Sequence, residues 1–476
     1  MLRKLLLVSV LCLLLGVMIV APAPVVGNPL PTVDAEVWPT GDATIDPGAV
    51  QAAIDAASPG DVILLHAVNQ GGTPTSFDFG MGGVIISKSL EIRGEMKKGK
   101  MTKILNGVNS LFVVGNPGAD VTIRSIHLHN ATSCSIFIVH AQDVTIIGNR
   151  ITADTMKGRT TVLDGSVFVP KEPNENIGEG MWLYGGPAMG GSITGNVIVE
   201  NNYVDLEEKL EQNLADPTFW GFAGKPDEYF KNWEVPQNDA VRDAWTNWTG
   251  RWCTAGIWVQ EVQGNVRIAG NKVYNATMRG IMASCNTGDT VVEYNEIVQK
   301  LGGYFWGYPS GNVGIYAGSY PATWAPKSIT VRYNKIVCQS VPYMPDRTKD
   351  SKDKDGIFVI DYGGVQVAEG TSLRGNDITL KDGRYGIWEV DGKGDYIGQN
   401  RIRGNGKTAL YIGDDPTIAD VALSPLPTEG ISLVNNYVAS FASSVANVIF
   451  WNDVINSTLK GNHRTIMFWQ NNIITS

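Results

Sequence analysis

The chain is poor in the residues that build compact metal sites: five histidines and five cysteines in 476 residues. The histidines are scattered, and no Cys/His pair has zinc-ligand spacing, so no metal site is expected. Positive charge is also short. Lys and Arg number 38 against 47 Asp and Glu, a net charge of −9, which argues against a nucleic-acid partner because such a partner wants a basic face. Long apolar runs are missing except at the start. There Arg3 and Lys4 precede an apolar stretch from Leu5 to Val20, followed by "APAPVVGN". This reads as a secretory signal over 1–27, with Gly27 and Val25 acceptable at the last and third-last places before cleavage. An uncleaved anchor is the alternative, for which the run sits at the short edge of about 17–25 residues. The expected location is secreted or extracytoplasmic (cell surface or periplasm), with no membrane contact beyond this segment. Large Leu11 before Cys12 removes a lipoprotein context. The remaining cysteines, Cys134, Cys253, Cys285 and Cys338, all fall on the apolar parity of neighbouring strand residues. They read as buried thiols rather than a disulfide framework.

What the chain does have is glycine, 54 residues of it, and a repeated phrase. "VTIIGNRITA" (144–153), "VRIAGNKVYN" (266–275) and "ITVRYNKIVC" (329–338) share alternating apolar residues, an Asn at the sixth place and a further apolar residue two places on. The Asn recurs at Asn149, Asn202, Asn271, Asn295, Asn334, Asn376, Asn400, Asn436 and Asn462, with a shortest interval of 24 residues. A fixed period of this size signals a solenoid. Period-two alternation on both sides of the Asn predicts two short strands bent at one point. Asn suits the bend because it tolerates the left-handed conformation and can bond to backbone. A second phrase lies between the copies: "GMWLY" (180–184), "GIWVQ" (256–260), "GIMAS" (280–284), "GIYAG" (314–318), "GIFVI" (356–360), "GIWEV" (386–390) and "ALYIG" (409–413). It supplies the first strand of each coil. A turn, a second strand, the Asn bend, a third strand and a return loop complete the coil.

This pattern resembles the right-handed parallel β-helix of the pectin-lyase-like superfamily. The expected fold is all-β, with three parallel sheets, an Asn ladder, an N-terminal capping helix and long loop insertions. In "DPGAVQAAIDAASPGDVILL" (46–65) Asp46 reads as the N-cap, Pro47 as the first helical residue, and Val62–Leu65 as a strand. The expected division is a signal over 1–27, an N-terminal segment with the helix over 28–60, and a single β-helix domain over 61–476. "SLEIRGE" (89–95) and "VTIRSIHLHN" (121–130) read as early coils without the Asn bend.

The large insertions, about 153–179, 205–255, 299–313 and 339–355, precede first strands, and smaller ones at 185–192, 319–327 and 414–429 follow them. They flank the outer face of the first-strand sheet and make it the floor of a groove. The resemblance implies a polysaccharide cleft on this sheet. In G-I-x-φ the middle residue points outward, which gives a column of Phe137, Trp182, Trp258, Met282, Tyr316, Phe358, Trp388 and Tyr411. It is either a stacking platform for sugar rings or a surface packed under insertions. Trp182, Trp258, Tyr316, Trp388 and Tyr411 are the binding candidates.

Just beyond the first strands stand Asp361, Asp391, Asp414 and Asp415. Matching places on coils about 4.8 Å apart would set carboxylates roughly 5 or 10 Å apart. Those are near the spacings of retaining and inverting glycoside hydrolases. The same row would suit Ca²⁺, the one cofactor considered, while surface turns also favour Asp without any site. Glu389 falls at an inward place of "GIWEV", where a carboxylate is costly unless a bulge turns it out. Across the groove, Arg279, Arg384 and Lys407 could neutralise the row, bind a uronate or act as a lyase base, or could simply be solvated loop ends. "DSKDKDG" (350–356) reads as a polar insertion and not as a calcium loop. The "WIDH" and R-x-P-x-x-R stretches of pectate lyases, and N-T-D with G-H-G of polygalacturonases, are missing, and "GDD" at Gly413–Asp415 is a weak match. Methylesterase and epimerase signatures are missing too. Two functions follow: an exported glycoside hydrolase or polysaccharide lyase acting on polysaccharide, or a non-catalytic surface or adhesive β-helix binding glycan. A scaffold for metal or copper maturation is disfavoured by the few His and Met clusters.

Overall fold

The computed structural model describes the chain except residues 1–31, 108, 115–116, 132–133, 155–160, 164–166, 170–178, 188–189, 209–254, 277–278, 300–302, 306–307, 311–312, 319–327, 340–362, 368–370, 390–392, 414–428, 444–447, 451–456, 461–465, 469–473 and 476. One compact unit spans Asp34–Ser476. Successive strands of like position pair in parallel, one coil on the next. Among the described residues the second strands form a 14-stranded sheet running from Ala35–Val37 through Val62–Leu65 to Ile474–Thr475. The fold is a right-handed parallel β-helix, the hand expected of parallel crossovers between twisted strands. Val, Ile and Leu fill the interior at nearly complete burial, because alternate residues of every strand face inward.

Among the described residues the first- and third-strand faces are not separate sheets, as the repeat predicts, but join into one sheet of 23 strands. The reason lies in the late coils. Asp377–Glu389 and Arg401–Ile412 each run from the third-strand face into the first-strand face as a single strand. The return loop there has shrunk to a register shift between Leu380 and Gly383. Earlier insertions carry antiparallel hairpins of their own, Thr161–Leu163 with Val167–Val169 and Gly303–Phe305 with Tyr308–Ser310.

The ladder forms from Asn149 to Asn436; Asn462 lies outside the described residues. Each Asn backbone N–H and side-chain amide donates to the Oδ1 of the next Asn at 2.9–3.1 Å. The amide also reaches a carbonyl of the preceding coil, such as Val199 O from Asn271 at 2.9 Å. The left-handed residue of the bend is not the ladder Asn but the one before it: Gly148, Asn201, Gly270, Tyr294, Tyr333, Gly375, Gln399 and Asn435. The Asn itself keeps ordinary backbone angles, so its side chain can turn inward along the stack.

The helix covers Asp46–Ala56 and buries Val50 and Ile54 in the core. Its N-cap is Ile45, so Pro47 is the second helical residue. Asp46 is fully buried and points back, accepting from Thr40 N–H and O–H and from the N–H groups of Gly41 and Asp78 at 2.8–3.0 Å. It anchors the entry loop to the first coil instead of capping the helix. Cys134, Cys285 and Cys338 are buried; Cys253 lies outside the described residues.

Candidate functional site

The outward column of the first-strand sheet is built by register. Ile85, Phe112, Phe137, Trp182, Trp258, Met282, Tyr316, Gln366, Trp388, Tyr411, Ile449 and Met467 stand side by side on consecutive strands. Gln366 takes the place expected for Phe358, because the strand of that coil is Gly363–Val367 and not 356–360. Phe358 itself lies outside the described residues.

Four rings at one end stack continuously. Centroids are 5.1 Å apart for Phe112–Phe137 and 5.0 Å for both Phe137–Trp182 and Trp182–Trp258. Trp182 and Trp258 are half-buried. Tyr316 is also half-buried, with the Arg279 guanidinium 5.4 Å from its ring centre. At the other end the expectation fails. Trp388 and Tyr411 are 2% exposed. Trp388 donates its indole N–H to Gly413 O at 3.0 Å, and Tyr385 packs against both rings. These two aromatics are packing residues and present no open face.

The acidic row also changes. Glu389 remains in register between Val367 and Ile412, so no bulge turns it outward, and it is fully buried. It is removed from the substrate-contacting candidates. Asp361 falls before its strand rather than after it, since that strand begins at Gly363. In the sequence, Glu369, Asp391 and Asp414 stand two places after Val367, Glu389 and Ile412, which are register neighbours. These three acids, with Asp361 and Asp415, lie outside the described residues. The basic row divides. Register pairs Gly383 with Gly406 and Tyr385 with Thr408, which sets Arg384 beside Lys407 inside continuous strands, not at loop ends. Arg279 aligns with Val313 and, through Gly363, with Tyr385, one residue out of step.

A second polar group stands on the outside of the third-strand face. His129, Thr152 and Asp205 are register neighbours, as are His127, Arg150 and Tyr203. Thr152 Oγ1 lies 2.8 Å from His127 Nε2 and 2.7 Å from His129 Nδ1. Burial, then the charges of Lys103, Arg150 and His129, pull the His127 pKa down to about 3, so this imidazole is neutral. Burial raises the Asp205 pKa despite bonds from Asn275, the Glu207 N–H and Tyr203. Burial and Asp205 push the Tyr203 hydroxyl up to about 12. Arg150 lies 4.5 Å over the Tyr203 ring and is ion-paired to Glu208.

Parallel strands stacked coil on coil around an internal asparagine ladder decide the fold. It is a parallel β-helix. No family model matches the sequence, and no curated protein does. Among solved structures, the chain is similar to the A-module of the Azotobacter vinelandii mannuronan C-5 epimerase AlgE4. That match has a TM-score of 0.46 and 12% identity over 87% of this chain and 97% of that one. The AlgE6 A-module from the same organism gives 0.44 and 10% over 92% and 96%. A Yersinia enterocolitica family 28 exopolygalacturonase gives 0.34 and 11% over 92% and 78%.

Within this β-helix, the third-strand cluster escaped the sequence reading because its members come from separate coils. A signal was present. In "IHLHN" (126–130) the alternation places His127 and His129 outward together, and "YVD" (203–205) does the same for Tyr203 and Asp205.

Proposed function

We propose that the chain is an exported polysaccharide-active protein that binds glycan along the outside of the first-strand sheet. The observation that carries this reading is the ring stack Phe112–Phe137–Trp182–Trp258, with the two indoles half-buried. An aromatic face matches the C–H face of a pyranose, and rings repeated once per coil suit a repeating ligand. The chemistry proposed is glycosidic-bond cleavage, by hydrolysis or by lyase elimination. Asp391 and Asp414 are the acid and base candidates, with Asp415 next in sequence and Glu369 two places after Val367. Arg384, Lys407 and Arg279 would meet a uronate or serve as the lyase base. Ca²⁺ is the cofactor to test beside them.

The test is a polysaccharide panel read for reducing ends and for absorbance of unsaturated uronate, with and without Ca²⁺. Reducing ends alone support a hydrolase; new absorbance supports a lyase. Asp391→Asn should abolish either without unfolding the chain, and unchanged activity would remove Asp391 from the mechanism. Trp258→Ala should weaken glycan binding at least tenfold, about 1.4 kcal/mol, as loss of a central aromatic anchor does. A second reading, a non-catalytic glycan-binding surface protein, is favoured by the closed face at Trp388 and Tyr411. Binding lost in Trp258→Ala with no cleavage across the panel would select it.

A further inference from the structure

We propose that His129, Asp154 and Glu208 form a binding site for a divalent transition-metal ion of the zinc class on the third-strand face, apart from the aromatic column. One ligand atom from each lies within 4.8 Å of the other two. The residues come from three successive coils. His129 ends the strand Ile126–His129, Asp154 follows Arg150–Thr152, and Glu208 follows Tyr203–Asp205.

Proton positions support the site. Asp154 N–H donates to Asn130 Oδ1 at 2.8 Å, which fixes the orientation of that amide. Its NH₂ group therefore faces His129 Nε2, at 3.2 Å. A nitrogen that accepts carries no proton, so the His129 proton sits on Nδ1 and is donated to Thr152 Oγ1 at 2.7 Å. The Thr152 hydroxyl in turn donates a hydrogen bond to His127 Nε2 at 2.8 Å. A hydroxyl thus orients the imidazole from behind, as outer partners of metal-binding histidines do, and Nε2 stays unprotonated; its single lone pair meets the Asn130 NH₂, a bond that an incoming ion would displace.

That nitrogen faces a carboxylate. His129 Nε2 is 3.6 Å from Asp154 Oδ2, beyond hydrogen-bond range. The separation is near the edge of a tetrahedron with ligands about 2.1 Å from zinc, roughly 3.4 Å. Arg150 holds Glu208 in place. One nitrogen and two carboxylate oxygens suit Zn²⁺, Co²⁺ or Ni²⁺; Ca²⁺ and Mg²⁺ prefer all-oxygen shells of six or more ligands. A bound ion would clip three coils together at their outer edge.

The experiment uses the full chain stripped with EDTA, then titrated with Co²⁺ and followed by its visible absorption, with Zn²⁺ as competitor and the zinc content measured per chain. One equivalent is expected, displaced by Zn²⁺ and indifferent to excess Ca²⁺. Glu208→Gln and Asp154→Asn change side chains that are 31% and 27% exposed, which spares the core. Each should lower affinity at least tenfold, the scale of losing even an outer partner, with circular dichroism unchanged. His129→Gln should do the same. No uptake by the wild type, displacement by Ca²⁺, or uptake retained in full by all three variants would overturn the site.

Discussion

Glu95 shows how one side chain ties the coils to pH. It accepts from Ala67 N–H and from His66, whose other ring nitrogen meets Glu36 at 3.2 Å, while the ring stacks on Trp38. Burial pulls the Glu95 pKa upward, but the Ala67 N–H, His66 and Lys97 outweigh it and hold the value below that of a free carboxyl. A depressed folded pKa stabilises the fold above the unfolded value, about 4.3. The contribution is lost as pH falls through the folded pKa. The stability gap between wild type and Glu95→Gln, measured by urea unfolding, should therefore narrow from neutral pH to below 4. A gap independent of pH would contradict this. Cys338 gives a second prediction. Full burial pushes its thiol up to about 12, and only a thiolate reacts quickly. It should resist thiol reagents in the folded chain and react on unfolding; rapid labelling of native Cys338 would refute the burial. At this scale the sequence was legible where parity alone decides, as for inward Cys338 and inward Glu389. It misplaced the left-handed residue, because Tyr294 and Tyr333 adopt that conformation despite a cost of about 1 kcal/mol. Their rings stack outside at 5.3 Å, and the ladder asparagines must stay free to turn inward.

At the scale of the element, the ladder and the first-strand glycine explain the two repeated phrases. The Asn271 amide serves Val199 O and Asn295, and its Oδ1 takes the Asn202 N–H and amide. Asn271→Ala orphans buried backbone groups at roughly 1–3 kcal/mol each. A loss of about 3 kcal/mol in unfolding free energy is expected, and a loss below 1 kcal/mol would show that water substitutes for the amide. The Gly of G-I-x-φ is steric. A Cβ on Gly280 would meet Ile297 Cγ2 at 2.5 Å and Gly314 O at 2.6 Å, and on Gly256 it would meet Val273 Cγ1 at 2.3 Å. The first strand starts directly over the inward residue of the third, so Gly280→Ala should cost about 1–3 kcal/mol. An unchanged thermal midpoint would mean the strand start can lift away.

The stack of coils as a whole has two ends, and the helix Asp46–Ala56 closes one of them through Val50 and Ile54. An uncovered strand end recruits other chains. Replacing Val50 and Ile54 together by Lys should produce concentration-dependent association in light scattering while most strand signal remains. A double variant that stays monomeric would assign the helix no protective role. The functional faces also belong to this scale. Trp182 and Trp388 share one outward column, yet the first is half-buried and the second covered. Parity says which side of a sheet a residue faces; it does not say what lies on top.

The coil follows from periodicity along the chain: its three strands, the asparagine at the bend, the small residue opening the first strand, and the apolar filling. Each rests on neighbours two or a few residues away, so periodicity carries it. Which side chains from different coils meet follows from the stacking instead. Stacking set Gln366 in the column in place of Phe358, joined the first and third faces through two long strands, and buried Trp388 and Tyr411. It also brought His129 to Asp154 and Glu208. Insertions of different lengths separate these residues along the chain, so no fixed spacing records their contact. Register across the stack, set by hydrogen bonds between coils, does.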